Sequence, residues 1–111
     1  MNSLKLSSRD LKILQEFKVY LSRLYQEQLD KVILFGSRAR GNAGPESDFD
    51  ILIVLKDKFS YYSEVKKISG YISDLCIENE ILISCVFTTL EKWNTEDNAF
   101  YRNVHLEGIS L

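Results

Sequence analysis

The amino-acid sequence predicts an α/β domain in which helices cover a short sheet. Three observations carry that prediction. Two short apolar runs, Val32–Phe35 and Ile51–Leu55, have the length and unbroken hydrophobicity of buried strands. Longer segments before, between and after them repeat apolar residues at helical intervals. Between the two runs lies a polar stretch, Gly36-Ser37-Arg38-Ala39-Arg40-Gly41 and then Ser47-Asp48-Phe49-Asp50, which reads as a site built between strands. Periodicity gives the order helix–strand–strand–helix–strand–helix.

A first helix is capped by Ser7 or Ser8 and runs to about Gln28, with Asp10 in its first turn complementing the helix dipole. Its core-facing stripe is Leu11, Leu14, Phe17, Leu21 and Leu24. Strand one is Val32–Phe35. Asn42-Ala43-Gly44-Pro45-Glu46, with the sole proline of the chain, reads as a flexible turn. Strand two runs from Asp48 to Leu55, and its continuous apolar end implies burial on both faces.

A second long helix spans Ser60 or Ser63 to about Glu78, with Val65, Ile68, Ile72, Leu75 and Cys76 on its apolar face. Gly70 weakens it and reads as a point of close packing. Tyr61 and Tyr62, at its start, read as packing residues. Strand three extends from Glu80 to Thr88, with Ile81, Ile83, Cys85 and Phe87 on one face and Glu80, Leu82, Ser84 and Val86 on the other. A last helix begins at Glu96 or Asp97, reaches Glu107 and stops at Gly108. The lone histidine, His105, sits between Val104 and Leu106 and reads as structural.

The 111 residues suit one domain spanning 1–111, and 45% hydrophobic content is ordinary for a globular chain. The net charge of −2, with no basic tail, argues against nucleic acid as a partner. Charges throughout Met1–Leu14 argue against a signal peptide, and no apolar run is long enough for a membrane span. Cys76 and Cys85 lack zinc-type spacing and sit among apolar residues, so they read as packed thiols in a reducing cytoplasm.

The chemistry concentrates between Gly36 and Asp50. Alternation along a strand points Asp48 and Asp50 the same way, about 6–7 Å apart, and Phe49 the other way. Like charges on one face repel unless a cation sits between them. Hard oxygen ligands at this spacing suit Mg²⁺, which binds through one or two carboxylates plus substrate phosphates. Gly36 lets the backbone approach a ligand, and Ser37 adds a hydroxyl and an N–H at a helix start, where phosphate is attracted. Arg38 and Arg40 add positive charge beside the turn. Ser47 either orients the start of the second strand, or contacts the metal site through water, or serves only as a strand-start turn residue. Gly36 and Gly41 have Walker A spacing, but Asn42 and Ala43 follow where Lys and Ser/Thr are required. The dinucleotide pattern G-x-G-x-x-G is absent.

Gly36-Ser37-Arg38-Ala39-Arg40-Gly41 followed by Ser47-Asp48-Phe49-Asp50 resembles the signature of the polymerase-β-type nucleotidyltransferase superfamily. The short length resembles its minimal nucleotidyltransferase (MNT) branch, with its MntA-like antitoxins. The resemblance is close from Val32 to Leu55 and looser over the flanking helix and later strand. It implies the nucleotidyltransferase fold, a short mixed β-sheet packed with α-helices. It also implies a third acid on a strand neighbouring the first two. Glu80 fits that place by position, and Glu78, which precedes the strand, fits it less well. An Asp is the more usual residue there. Glu carries one more methylene, so this chain departs from the family at its catalytic base.

On this resemblance Asp48, Asp50 and Glu80 would hold two Mg²⁺ ions, and Gly36, Ser37, Arg38, Arg40 and Ser47 would bind a nucleoside triphosphate, the donor. Glu80 would ligate metal or accept the acceptor's hydroxyl proton. The implied reaction moves a nucleoside monophosphate, AMP from ATP, to an acceptor hydroxyl; the adenine preference comes from the resemblance alone. Larger relatives append a helical domain for the acceptor, which this chain has no room for. The acceptor would then be a partner protein, or a homo-oligomer would complete the site. Members of the minimal branch commonly pair with a HEPN-domain protein in toxin–antitoxin modules, some attaching AMP to the toxin. A second reading keeps the fold but makes it a weak or inactive module that regulates a partner by contact, with Glu80 as its motive. In a third, Asp48 and Asp50 are merely a solvated strand end, which the Gly-Ser turn before them disfavours.

Overall fold

The first helix, α1, spans Ser8–Tyr25. Ser7 caps it: its side chain accepts the Asp10 N–H at 3.0 Å, one of the donors a helix start leaves without an intrahelical partner. The buried side is Ile13, Leu14, Phe17, Leu21 and Tyr25. Tyr25 takes the place expected of Leu24, which is exposed. The chain leaves α1 through Gln26 at φ 52°, passes a 3₁₀ turn at Gln26–Gln28, and enters strand β1, Leu29–Phe35. β1 starts earlier than the apolar run implies, because Leu29 and Lys31 already pair with Leu55 and Val54 across a register shift.

After β1 come the short helix α2, Ser37–Arg40, then β2, Phe49–Leu55, then the long helix α3, Tyr61–Asn79. Strand β3, Ile83–Thr89, runs into α4, Leu90–Thr95. Helix α5, Ala99–Glu107, and a two-residue strand β4, Ile109–Ser110, follow. The structure is a computed structural model that describes residues 6–41, 44 and 48–111. The expected turn over 42–46, Gly44 apart, and Ser47 lie outside the described residues.

Among the described residues four strands form one sheet in the order β3-β2-β1-β4. β1 is antiparallel to both β2 and β4, while β2 and β3 are parallel. The sheet is therefore mixed, as the resemblance implies, and α3 is the crossover that a parallel pair requires. β2 lies between two strands and under helices on both faces. Phe49, Ile51, Ile53 and Leu55 join Leu14, Phe17, Leu21, Ile68 and Leu75 on one side. Leu52 and Val54 join Ile33, Trp93 and Val104 on the other. Each such aliphatic side chain contributes about 1.5–3 kcal/mol when fully buried, so this strand anchors the domain.

Three expectations need correction. Gly70 is not a close-packing point: it is exposed, and a Cβ there would meet nothing within 4 Å. The tail is two helices and a short strand rather than one helix. Thr89 caps α4 by accepting the Lys92 N–H, and Asn98 caps α5 by accepting the Tyr101 N–H. Strand three begins at Ile83, not Glu80. Both tyrosines are exposed, but Tyr61 still accepts the Phe87 N–H at 3.2 Å and meets the Phe87 ring edge-on. His105 has a structural place, its ring stacked on Trp93 at 3.6 Å and its Nε2 bonded to the Trp93 carbonyl.

Candidate active site at the opening of the second strand

β1 ends and β2 begins at the same edge of the sheet, with Phe35 directly opposite Asp50. The turn out of β1 is Gly36, at φ 77° and ψ −160°, a conformation that is essentially glycine's alone. The turn also brings the Gly36 backbone against the Asp50 carboxylate. A Cβ on Gly36 would overlap Asp50 Oδ2 and lie 3.3 Å from its Cγ. Glycine is thus required twice, by its dihedral angle and by the carboxylate beside it.

α2 starts at Ser37. The Gly36 carbonyl accepts the N–H groups of Ala39 and Arg40, both at 3.1 Å, and Gly41 ends the helix at φ 81°. Ala39 is buried, which pins this single turn to the core. The two arginines are occupied differently. The Arg38 guanidinium lies 4.3 Å from the centre of the Phe49 ring. Arg40 forms a 3.1 Å ion pair with Glu107 of α5, and its charge also bears on Asp50.

Phe49 is buried in the core, so its neighbours Asp48 and Asp50 point to the opposite face. The Asp50 carboxyl is pushed above its ordinary value, first by burial and then by the negative charge of Asp48, with Arg40 pulling against both. A divalent cation between the acids would relieve that repulsion. The donors are hard oxygens, and the glycine leaves room where a side chain would block them. The residues present therefore fit a divalent cation completed by substrate phosphates. Among the described residues no three His, Cys, Asp or Glu side chains gather as a metal cluster.

Glu80 does not join Asp48 and Asp50 on a strand. It caps α3 in the left-handed conformation, φ 55° and ψ 46°, with its N–H on the Cys76 carbonyl, and its side chain is exposed. The Ile81 N–H bonds the same carbonyl. This turn delays the strand by three residues and removes Glu80 from the ladder. Glu78 is exposed within α3. The residue of β3 beside Asp50 is Ser84, and its Oγ donates to Asp48 Oδ2 at 3.1 Å. Sequence reasoning placed Ser84 on the acid-bearing face but gave it no role. Parallel pairing of the two apolar strands, Phe49 beside Ile83, is the signal that finds it.

Other features lie apart from the acids. A cavity of about 510 Å³ is lined by Lys18, Asp30, Trp93 and His105 among others, and by none of the signature residues. Cys76 and Cys85 are free thiols, and burial pushes Cys85 up to about 12, which makes it a packing group rather than a nucleophile. No helix among the described residues is long and apolar enough to cross a membrane.

Known proteins resemble this chain in sequence and in fold. The nucleotidyltransferase domain family matches residues 14–104. Two proteins of Methanocaldococcus jannaschii, each named "Putative protein adenylyltransferase", are similar in sequence. MJ0141 is 42% identical over 74 residues, 67% of this chain and 74% of its own. MJ0604 is 36% identical over 101 residues, 90% of this chain and 95% of its own. The solved structure described as "Crystal structure of the toxin-antitoxin with AMP-PNP" shares the fold, with a TM-score of 0.59 and 18% identity over 86% of this chain and 70% of that one. The chain belongs to the nucleotidyltransferase domain family, and it is a nucleotidyltransferase.

Proposed function

We propose that the chain moves AMP from ATP to a hydroxyl of a partner protein, and that it uses Mg²⁺ to do so. The observation that carries this reading is the pairing of Asp48 and Asp50 on one face, with the Gly36 backbone pressed against the second of them. The relatives' name, protein adenylyltransferase, supports a protein acceptor and an adenylyl group. A similar fold in a toxin–antitoxin complex with an ATP analogue supports ATP as donor and a toxin as partner.

Gly36 and Ser37 receive the triphosphate where the backbone is bare of side chain. Arg40 draws the phosphates by charge, and Arg38 braces the turn against Phe49. Asp48 and Asp50 hold the cation. When bound, Mg²⁺ supplies neutralisation of phosphate charge and polarises the α-phosphate. The acceptor oxygen bonds to the α-phosphorus, the α–β anhydride bond breaks, and pyrophosphate leaves. Water takes the hydroxyl proton. The partner in this reading is a HEPN-domain protein, which supplies the acceptor hydroxyl.

The test is label transfer. The purified chain, Mg²⁺, α-labelled ATP and a HEPN-domain protein as candidate partner are incubated together. Label appears on the partner and disappears with Asp48→Ala and with Asp50→Ala, a loss on the order of 10²–10³-fold. Tight neutralisation of the partner without label, surviving both substitutions, would show regulation by contact alone.

A further inference from the structure

We propose that Ser84 is a positioning residue of this site, holding the Asp48 carboxylate so that it faces the same cation as Asp50. The inference rests on the reading of Asp48 as a cation ligand and adds a residue to it.

Two observations place Ser84. The parallel register sets it directly beside Asp50, so its side chain emerges on the face that carries both acids. Its hydroxyl then crosses to Asp48 and donates to Oδ2 at 3.1 Å. Asp48 stands one residue before β2, where the ladder gives it little backbone support. The first ladder bond at this end is made by its neighbour, from the Phe49 N–H to the Leu82 carbonyl at 2.8 Å. The Ser84 hydroxyl ties the side chain itself to β3.

The chemistry of the tie matters. A hydroxyl donates to a carboxylate without adding negative charge, so it orients Asp48 without deepening the repulsion on Asp50. Partners that orient a metal-binding carboxylate in this way are typically worth 10- to 100-fold in metal affinity. Ser84 is exposed, so removing its oxygen opens no cavity in the core. Its effect therefore falls on the site and not on folding.

The test is a titration with Mn²⁺ in the presence of a non-hydrolysable ATP analogue, read by the paramagnetic signal of free Mn²⁺. Ser84→Ala weakens Mn²⁺ binding about 10-fold, with its melting temperature within about 1 °C of the parent. Ser84→Thr, which keeps the hydroxyl, restores affinity to within about 3-fold. Undiminished Mn²⁺ binding by Ser84→Ala overturns the proposal, as does a loss that Ser84→Thr fails to restore. Failure of the underlying site reading looks different, because there Asp48→Ala itself binds Mn²⁺ like the parent. Failure of the transfer reading is different again, since it leaves the order of these Mn²⁺ affinities intact.

Discussion

The two ends of β2 are made of the same strand and are put to opposite uses. From Ile51 to Leu55 every side chain is at most 4% exposed, with a strand on each side and helices on both faces. At Asp48 and Asp50 the same alternation of faces sets two acids together, and burial makes the charge on Asp50 costly. The apolar end holds the fold and the acidic end strains against it. A site with this much like charge is tolerated because its strand is fastened elsewhere.

The largest effect expected on stability lies at the apolar end. Ile53→Ala should cost about 2–5 kcal/mol, a large share of the roughly 5–15 kcal/mol that a domain possesses. Urea denaturation measures it, and a loss below about 1 kcal/mol would remove the contrast between the two ends. Gly36→Ala comes next. The backbone strain alone costs about 1–3 kcal/mol, and the new methyl must displace the Asp50 carboxylate. Stability and nucleotide affinity should fall together; a variant normal in both would show that the close approach of Gly36 is dispensable.

Asp50→Asn should act in the other direction. Burial and Asp48 raise the Asp50 carboxyl above 3.8, so the folded chain holds this proton more tightly than the unfolded chain does. The stability that this provides is complete below the unfolded value and is lost as pH rises through the raised folded value. With metal chelated, the asparagine variant should therefore melt about 1–3 °C higher at neutral pH, and the gain should vanish below pH 3.8. A gain independent of pH would point to a cause other than charge. Gly70 lies outside both ends of this strand. With open space around it, Gly70→Ala should stabilise α3 by about 0.5–1 kcal/mol, seen as a higher melting temperature.

The acidic end was legible because it depends on short-range rules. Alternation along a strand fixes which way Asp48 and Asp50 point, and Phe49 marks the opposite face by its own burial. Glu80 is hard to place from sequence because the chain turns there without a glycine. Asn79 and Glu80 look like ordinary helix residues, yet Glu80 adopts the left-handed conformation that sequence patterns assign to glycine or asparagine. Ser84 required the pairing of β2 with β3, a contact between distant segments that local periodicity does not encode. β1 looks short in the sequence because Asp30 and Lys31 break its apolar run, and β4 has only two residues, too few for any pattern. Thr89 and Asn98, by contrast, are ordinary capping residues, and weighting them would have divided the tail into α4 and α5.

The most direct measurement is a crystal structure of the chain with a non-hydrolysable ATP analogue and Mn²⁺, read by anomalous scattering. A manganese peak should lie between the carboxylates of Asp48 and Asp50, with the analogue's phosphates against Gly36 and Ser37. A peak elsewhere, or phosphates bound away from that turn, would contradict that placement.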